Sequence, residues 1–438
     1  MLKRKWMFGL VLVLIGSMFL AVGCPDPEVE PDPDPDPDEI VLTVAAGAVG
    51  IELELTHDLA EMYMDENPDV IVEVIDTPDS ATERLSLYLS FFEAQSPEVD
   101  IYQIDVIWPG DLAEHFIDLY EYGADEVVDD HFPAIVENNT VDGRLIGIPW
   151  FTDAGLLYYR TDLLEEYDLE VPETWDELEE AAQIIQEGER VDNPDFWGYV
   201  WQGDAYEGLT TNALEWIDSN DGGTIVSPEG VITINNQNAI DIVNQAAGWV
   251  GTISPDGVTT FAEEDARAIW HTGDAAFMRN WPYAFALSAS EDSAVTDVFG
   301  VGPLPAGLAG TGSATLGGWQ LAVSTYSEHP EEAADLALFM ANYESQKHRA
   351  IEGTMIPTIM DLYEDPDVVE AHPWFEDLFD VFINAVARPS TATAPNYSAV
   401  SEAFFTAVHD VLTGEMTAED AFEELELDIQ DVTGLEIE

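Results

Sequence analysis

Residues 147–163 read Gly-Ile-Pro-Trp-Phe-Thr-Asp-Ala-Gly-Leu-Leu-Tyr-Tyr-Arg-Thr-Asp-Leu. In this stretch Trp150 and Phe151 come just before a lone carboxylate, Asp153. An Ala-Gly step then leads into an apolar, strand-like run from Leu156 to Tyr159. Aromatic rings suit the C–H faces of a polyol, and a carboxylate accepts hydrogen bonds from its hydroxyls. The stretch therefore predicts a binding site for a polyhydroxylated ligand beside a buried strand.

The first 24 residues have the layout of an export signal. Lys3–Lys5 is basic, the 18 residues from Trp6 to Gly23 carry no charge, and small residues precede Cys24, the only cysteine. We predict that residues 1–24 are a lipoprotein signal peptide and that Cys24 is lipidated. An uncleaved membrane anchor is the alternative, because 18 apolar residues are near the lower limit for crossing a bilayer. Both interpretations predict a chain outside the cytoplasm, tethered to a membrane.

The charge of the chain is extreme. It has 12 basic and 89 acidic residues, giving a formal net charge of −77. Electrostatic repulsion excludes nucleic acid as a partner, and a hydrophobic content of 46% argues against disorder. We favour a secreted protein adapted to molar salt, where the Debye length falls to about 3 Å and self-repulsion is screened. Most of the carboxylates are then solvated surface and say nothing about a ligand.

The pattern along the chain predicts an α/β protein. Residues 25–39, with repeated Pro-Asp pairs, indicate an extended acidic tether. Strands then alternate with helices, which favours a largely parallel sheet with ligands outside the carboxyl ends of its strands. The first strands are predicted at 40–46, 70–75 and 99–104, and the first helices at 51–67 and 81–94.

A second α/β part is predicted to begin near residue 162. Thr174 and Glu177 form a capping box ahead of an apolar helical stripe. Because the chain leaves one lobe, builds a second and returns, we predict two interleaved lobes with a cleft between them. The predicted lobes are residues 40–150 with 291–344, and residues 151–290 with 345–438.

Aromatic residues in turn-like contexts are candidates for ligand contact. Trp281 and Tyr283 flank a proline, which suits a rigid turn, and Trp319 follows the glycine pair Gly317 and Gly318, where a ligand can approach the backbone closely. Core packing is the alternative for every lone tryptophan, and it is our prediction for Trp197, Trp201 and Trp216. The full set of candidate rings is Trp108, Trp150, Phe151, Trp281, Tyr283 and Trp319.

Three carboxylates and one arginine complete the candidate site. Glu52, Asp105 and Asp153 lie at predicted strand ends in apolar or glycine-rich surroundings, unlike most acids of this chain. Arg388 stands just before a proline in a chain that has few arginines, with an ion pair to a surface acid as the alternative. Carboxylates accept hydroxyl protons in charge-assisted bonds, and arginine donates to sugar oxygens.

Longer motifs resemble those of one family. They are Asp153-Ala-Gly-Leu-Leu-Tyr-Tyr-Arg160, Phe196-Trp-Gly-Tyr-Val-Trp-Gln-Gly203, Tyr206-Glu-Gly208, Arg279-Asn-Trp-Pro-Tyr-Ala284 and Ala314-Thr-Leu-Gly-Gly-Trp319. Together they resemble the trehalose/maltose-binding proteins of ABC importers, within extracellular solute-binding protein family 1, from about residue 41 to the end of the chain.

The resemblance implies a periplasmic-binding-protein-like fold, with several hinge crossings between two α/β lobes that hold the ligand. The family has a tyrosine where this chain has Phe151, and the match is loose around Asp79 and Ser80. The matching ligand positions are Glu52, Asp105, Asp153, Trp281, Tyr283, Gly317, Gly318, Trp319 and Arg388.

Motifs for catalysis are weak. The sequence has no His-Glu-x-x-His, no phosphate-binding glycine loop and no Gly-x-Ser-x-Gly. A secreted glycoside hydrolase, which needs two carboxylates across a sugar, is the alternative, and a surface sugar sensor or adhesin is the third hypothesis. We predict a monomeric, lipid-anchored binding protein with no catalytic residue, metal or cofactor. It would capture a disaccharide such as trehalose or maltose and deliver it to the permease of an ABC importer.

Overall fold

The fold is described for residues 40–438 by a computed structural model, the side chains of residues 376, 377 and 383 excepted. The predicted signal peptide, the Pro-Asp tether and Cys24 lie outside the described residues. Within residues 40–438, no helix is both long enough and apolar enough to cross a bilayer.

The strands are β1 (Ile40–Ala46), β2 (Val70–Asp76), β3 (Ile101–Asp105), β4 (Thr140–Val141), β5 (Arg144–Leu145), β6 (Ile148–Ala154), β7 (Leu156–Arg160), β8 (Trp197–Val200), β9 (Val231–Ile232), β10 (Ala275–Asn280), β11 (Phe299–Gly302), β12 (Leu316–Val323) and β13 (Glu436–Ile437).

The α-helices are α1 (Glu52–Glu66), α2 (Ala81–Ala94), α3 (Pro109–Leu112), α4 (Pro133–Asn138), α5 (Thr161–Glu166), α6 (Trp175–Glu189), α7 (Glu207–Ser219), α8 (Gln237–Trp249), α9 (Glu263–His271), α10 (Ala284–Ser288), α11 (Pro330–Met340), α12 (Tyr343–Gly353), α13 (Pro366–Ala371), α14 (Trp374–Asp377), α15 (Phe379–Ile383), α16 (Ser390–Thr393), α17 (Tyr397–Leu412) and α18 (Ala418–Thr433).

Two sheets organise the molecule. The first has the order β2-β1-β3-β12-β6, in which β1 is parallel to β2 and β3 while β12 is antiparallel to both of its neighbours. The second has the order β11-β7-β10-β8, with β7 antiparallel to its neighbours and β10 parallel to β8. The prediction of a largely parallel sheet is thus correct for β1 to β3 and for the pair β8 and β10, whereas β12 and β7 run antiparallel to their neighbours.

The chain crosses between the two sheets at Gly155, the single residue between β6 and β7. A Cβ atom on Gly155 would lie 2.0 Å from Glu215 Oε1 and 2.6 Å from Arg279 Nη2. These two groups form a buried ion pair in which Arg279 Nε donates to Glu215 Oε2 at 2.9 Å. Only glycine therefore fits where the crossing strand passes this ion pair.

The pairing of strands also bears on the predicted lobes, whose boundaries stay a prediction. β11 pairs with β7, so residues 299–302, which the prediction assigns to the first lobe, lie in the second sheet. Residues 151–154 belong to β6 and hence to the first sheet, although the predicted second lobe begins at 151. The return crossing falls between β11 and β12, after the predicted boundary at residues 290 and 291.

Helix α6 forms as its sequence predicts. The Thr174 hydroxyl accepts a hydrogen bond from the Glu177 N–H at 3.2 Å, and Glu177 Oε2 accepts one from the Thr174 N–H at 3.2 Å. This reciprocal capping box satisfies two N–H groups that the first helical turn leaves free. The predicted apolar stripe is buried and comprises Trp175, Leu178, Ala181, Ala182 and Ile185.

Tryptophans fill much of the core beside the second sheet. The rings of Trp201 and Trp216 meet edge to face with centroids 5.0 Å apart, and Trp216 meets Trp249 in the same way at 5.7 Å. Edge-to-face pairs bring the positive edge of one ring to the negative face of the next. The core prediction is confirmed for Trp201 and Trp216. Trp197 packs against this core with part of its surface exposed, beneath the Arg190 guanidinium.

Candidate functional site

A cavity lies at the carboxyl ends of β1 and β3, where the sequence predicts a ligand site. Val49 follows β1 and Asp105 ends β3, while Tyr206 and Trp281 come from segments attached to the second sheet. Both sheets therefore contribute to the wall of one cavity.

Ten of the twelve candidate ligand residues line this cavity. They are Glu52, Asp105, Phe151, Asp153, Trp281, Tyr283, Gly317, Gly318, Trp319 and Arg388. Trp108 and Trp150 are the exceptions.

Trp108 lies behind Trp319 and does not line the cavity. Its side chain is buried, and its ring meets the Trp319 ring edge to face with centroids 5.6 Å apart. A second ring contact, with Tyr88 at 6.0 Å, holds it in an aromatic cluster of the first sheet. The structure thus places Trp108 as a support for a cavity ring, because the tight turn after β3 directs it inward. The other candidate ring, Trp150, is also fully buried and outside the cavity lining.

Glu52 is held by the loop after β1 and by β3. Its carboxylate accepts a hydrogen bond from Gln103 Nε2 at 2.6 Å, and Gln103 Oε1 accepts one from the Gly47 N–H at 2.6 Å. A Cβ atom at Gly47 would lie 2.2 Å from Glu52 Oε2. The glycine therefore leaves the space that this carboxylate occupies at the start of α1.

The pairing of β6 with β12 sets several cavity residues side by side. Phe151 lies opposite Trp319, and Asp153 lies opposite Gly317. At Gly317 an added Cβ would lie 3.1 Å from the Trp281 ring, so this glycine admits the ring. Gly318 has a φ of +119° and lies against the β6 backbone. The glycine pair thus makes room for a ring and a strand. Both glycines also line the cavity, and close approach of a ligand to them stays a prediction.

Two rings reach the cavity from the end of β10. The Trp281 indole N–H donates to Glu263 Oε1 at 3.3 Å, and the Arg279 guanidinium carbon lies 3.9 Å from the Trp281 ring centroid. The Tyr283 hydroxyl donates to Glu264 Oε1 at 2.8 Å. Hydrogen bonds and a cation–π stack therefore fix both rings before any ligand arrives.

Arg388 connects the two sides of the cavity. Its Nη2 donates to Asp105 Oδ1 at 2.8 Å and its Nη1 donates to Glu207 Oε1 at 2.9 Å, with all three side chains buried. Glu207 also accepts hydrogen bonds from the hydroxyls of Tyr397 and Ser401, each at 2.6 Å. The predicted alternative of an ion pair with a surface acid is wrong, since both partners are buried at the cavity wall.

Burial controls the protonation of the cavity acids. It raises the pKa of Asp153 well above its usual range, and the negative charge of Glu52 raises it further. Burial also raises the pKa of Glu207, although the Arg388 charge opposes this shift. Desolvation disfavours a charged carboxylate unless a cation or hydrogen-bond donors compensate. Ligand hydroxyls would supply such donors.

Some cavity residues were missed by sequence analysis. Glu207 belongs to the Tyr206-Glu-Gly208 motif, which carried the family resemblance but received no role. Glu207 stands at the start of a helix, directly after an aromatic residue. In so acidic a chain, that position alone does not distinguish Glu207 from the solvated acids. The missed residues are Val49, Asp79, Ala81, Tyr206, Glu207, Gly208, Thr211, Glu263 and Met355.

The family of this chain is shown by its sequence. Residues 52–347 match the sequence profile of the bacterial extracellular solute-binding proteins, and the chain belongs to this family. It is accordingly a solute-binding protein rather than an enzyme, which excludes the hydrolase alternative. The family description also places it outside the cytoplasm.

Individual relatives are similar over most of their length. The chain is 50% identical over 364 residues to a probable ABC transporter-binding protein of Deinococcus radiodurans, covering 83% of this chain and 87% of that protein. Maltose-bound MalE3 of T. maritima has a TM-score of 0.85 and 40% identity, with 90% of this chain and 99% of that one covered. The Streptomyces glaucescens GacH receptor shares the fold, with a TM-score of 0.80, 21% identity, and 90% and 99% coverage.

Proposed function

We propose that this protein captures an α-linked glucose disaccharide of the maltose or trehalose type and delivers it unmodified to an ABC importer. The observation that carries the proposal is the cavity, in which aromatic rings stand among buried carboxylates and a buried guanidinium. The relationship to a maltose-bound protein at 40% identity supports an α-glucoside. The relationship to a probable ABC transporter-binding protein supports the importer.

The chemistry of the cavity suits a sugar. Trp281, Tyr283 and Trp319 offer apolar faces to the C–H groups of pyranose rings. Glu52 and Asp153 accept hydrogen bonds from hydroxyls, in the charge-assisted form that is shorter and stronger than neutral bonds. A site built to bind hydroxyls also rejects analogues that lack them, because its buried polar groups would then stay unpaired.

Binding would favour a closed arrangement of the two sheets. Glu52 and Asp105 belong to the first sheet, whereas Trp281 and Glu207 are attached to the second. A ligand can contact all four only when the sheets are close, so its binding energy stabilises that state. The crossing at Gly155 is a place where a hinge motion can occur.

We also propose how the protein is attached to the cell and where it works. Lipidation at Cys24 would anchor the protein, and the acidic Pro-Asp tether would hold the binding part away from the bilayer. The protein would act as a monomer that docks on the transmembrane subunits of the importer. The formal net charge of −77 supports adaptation to high salt, where such a surface is screened.

A ligand screen tests this function. The purified protein is melted in high-salt buffer with maltose, trehalose, sucrose or glucosylglycerol, and each sugar is recovered and analysed by chromatography. We expect maltose or trehalose to raise the melting temperature and to be recovered intact, since a ligand that binds only the folded state stabilises it. Mannitol is the control polyol that lacks a pyranose ring. No stabilisation by any disaccharide, or release of glucose, would overturn the proposal.

A further inference from the structure

Two helices beside the second sheet begin without a capping side chain of their own. Helix α7 starts after Tyr206 and helix α17 after Asn396, and neither side chain makes a capping hydrogen bond in the part of the chain that the structure describes. The first N–H groups of a helix have no partner within the helix and need an acceptor from outside it. Both helices therefore depend on acceptors from other parts of the fold.

Both helices pack on the side of the second sheet. The ring of Trp216 in α7 meets that of Trp201, directly after β8, with centroids 5.0 Å apart. Helix α17 packs along α7 and α8, and Trp249 at the end of α8 meets Tyr199 of β8 with centroids 5.8 Å apart. A movement of the second sheet would therefore carry α7 and α17 with it.

The acceptor for α7 comes from the side of the first sheet. The Glu207 N–H donates to the Thr82 hydroxyl oxygen at 3.2 Å. Thr82 belongs to α2, and the Tyr88 hydroxyl of the same helix donates to the carbonyl oxygen of Gln103 in β3 at 3.1 Å. Thr82 is thus attached to the first sheet, while the helix that it caps is attached to the second.

The acceptor for α17 also comes from the side of the first sheet. Asp111 Oδ2 accepts hydrogen bonds from the Ser398 N–H at 3.2 Å and from the Ser398 hydroxyl at 3.0 Å. Asp111 belongs to α3, which follows β3 after a short turn, and Leu112 of this helix is buried in the hydrophobic cluster of the first sheet. Two helices are therefore capped from one sheet to the other.

The two capped helix starts meet at Glu207. This residue begins α7 and lines the cavity. Its carboxylate accepts hydrogen bonds from the hydroxyls of Tyr397 and Ser401 in the first turns of α17, each at 2.6 Å. The caps at Thr82 and Asp111 thus hold the two helix ends that together position one carboxylate of the cavity.

The contact at Asp111 is suited to forming and breaking. Its Oδ2 accepts both bonds, whereas its Oδ1 is buried without a hydrogen-bond partner among residues 40–438. Burying an acceptor that stays unpaired costs free energy, which partly offsets the gain from the two bonds. The contact is therefore weak enough to open when the sheets move apart.

We propose that Thr82 and Asp111 are positioning residues that fasten the two sheets in the closed arrangement by capping α7 and α17 from the opposite side. Parting of the sheets would break both caps. The apparent affinity of a ligand falls with the fraction of protein in the binding-competent state, so losing the caps weakens binding although neither residue accepts a bond from the sugar. The effect on sugar affinity rests on the proposed function, whereas the fastening itself requires no sugar.

X-ray scattering of the ligand-free protein in high-salt buffer tests the fastening. The radius of gyration is measured for the wild type, Thr82→Val, Asp111→Ala and the double variant. Each substitution removes one acceptor, and we expect the double variant to have the largest radius because its sheets part more often. Equal radii in the wild type and the double variant would overturn the proposal.

Thr417→Val is the matched control. The Thr417 hydroxyl accepts a hydrogen bond from the Asp420 N–H at 3.2 Å, at the start of α18, which packs on α17 and α8. This cap and its helix lie on the same side, so its loss should lower the melting temperature and leave the radius unchanged. Thr82→Ser and Asp111→Asn keep an acceptor oxygen and should retain the wild-type radius. An equal increase in Thr417→Val and Thr82→Val would contradict the proposal.

The sugar arm measures maltose affinity by calorimetry. Each lost cap should weaken binding by up to about fivefold, and both together by up to about 25-fold, as expected for the net contribution of single hydrogen bonds. At saturating maltose the double variant should regain the wild-type radius. Unchanged affinity, or a radius that stays larger with maltose bound, would overturn the role in binding. If the wild type binds no maltose, the proposed function is in question, and the scattering of the ligand-free protein still decides on the fastening.

Ser398→Ala breaks the second contact from the other side. It removes the hydroxyl bond to Asp111 and keeps the N–H bond, so its affinity should lie between those of the wild type and Asp111→Ala. In the Asp111→Ala background it should have no further effect, because both substitutions act on the same contact. Additive losses would overturn the role of this contact. If Asp111→Ala does not fold, Ser398→Ala decides alone, and wild-type affinity in that variant overturns the same role.

Discussion

Trp281 is the residue on which the proposed sugar site depends most. Its ring is fixed from behind by Arg279, at its edge by Glu263, and beside it by the space that Gly317 leaves. A ring held in place before binding loses little conformational freedom when the ligand arrives, which is the main advantage of preorganisation.

Replacing Trp281 by alanine should weaken sugar binding by at least about 30-fold, or about 2 kcal/mol, because an aromatic platform at the centre of a site contributes that much. Calorimetric titration with the sugar found in the ligand screen measures the change. Trp197→Ala, in a ring outside the cavity lining, is the control and should keep wild-type affinity. Equal affinity of Trp281→Ala and wild type would remove this ring from the site.

His131 gives a second prediction for a single residue. It is buried, its Nδ1 is 2.8 Å from the Thr358 hydroxyl oxygen, and burial lowers its pKa to about 4. The unfolded chain therefore binds a proton first as pH falls, and stability should decline from about pH 6.5 to pH 4 by up to about 3 kcal/mol. Chemical denaturation at several pH values, with His131→Asn as the control, measures this. An equally steep decline in His131→Asn would contradict the assignment.

Local sequence patterns predicted some residues of the candidate site and missed others. The rings near 281 and 319 and the acids at strand ends were predicted because glycines, a proline and apolar neighbours mark them. Glu207 was not, since its surroundings are assembled from distant parts of the chain. Arg388, for example, meets Glu207 across 181 positions of sequence. No local pattern contains such a contact.

Among the secondary-structure elements, the paired strands β6 and β12 contribute five residues to the cavity lining: Phe151, Asp153, Gly317, Gly318 and Trp319. Here the register shifts between Trp319 and Gln320, just after the glycine pair. The strands at 40–46, 70–75 and 99–104 were predicted from their apolar runs, and α6 from its capping box, whereas β6 was not predicted as a strand. The antiparallel direction of β12 was not predicted, because a strand's sequence does not specify which neighbour it will pair with.

Gly318 should be the least replaceable residue of this strand pair. An added Cβ would lie 2.6 Å from the Phe151 carbonyl oxygen, and the φ of +119° is unfavourable for any other residue. Gly318→Ala should therefore cost about 2–3 kcal/mol of unfolding free energy, measured by chemical denaturation. Gly310→Ala, with a φ of +78° but open space around it, should cost about 1 kcal/mol. Equal costs for the two variants would mean that the close approach of β6 is unimportant.

In the whole molecule, the charge of the surface and the arrangement of the two sheets have separate roles. We propose that the acids of the surface set the solution conditions in which the fold is stable. Residues 40–438 contain eight arginines. Four of them, Arg84, Arg279, Arg349 and Arg388, are buried. The arrangement of two α/β sheets around one cavity was predicted from the sequence. The positions where the chain crosses between sheets were predicted less well, since they depend on strand pairing rather than composition.

The melting temperature should rise with salt. Between 0.1 M and 2 M NaCl the screening length falls from about 10 Å to less than about 3 Å, which reduces repulsion among the acidic residues. We expect an increase of about 10 °C or more by circular dichroism, corresponding to several kcal/mol. KCl at equal concentration should act alike, because screening depends on ionic strength. A melting temperature independent of salt would contradict the proposed adaptation.

We propose above that both sheets hold an intact saccharide between them. A crystal structure of the protein with maltose or trehalose, whichever stabilises it in the screen, tests this most directly. We expect an unbroken disaccharide whose ring faces lie on Trp281 and Trp319 and whose hydroxyls donate to Glu52 and Asp153. A saccharide bound elsewhere on the protein, or a cavity that stays empty at saturating sugar, would contradict it.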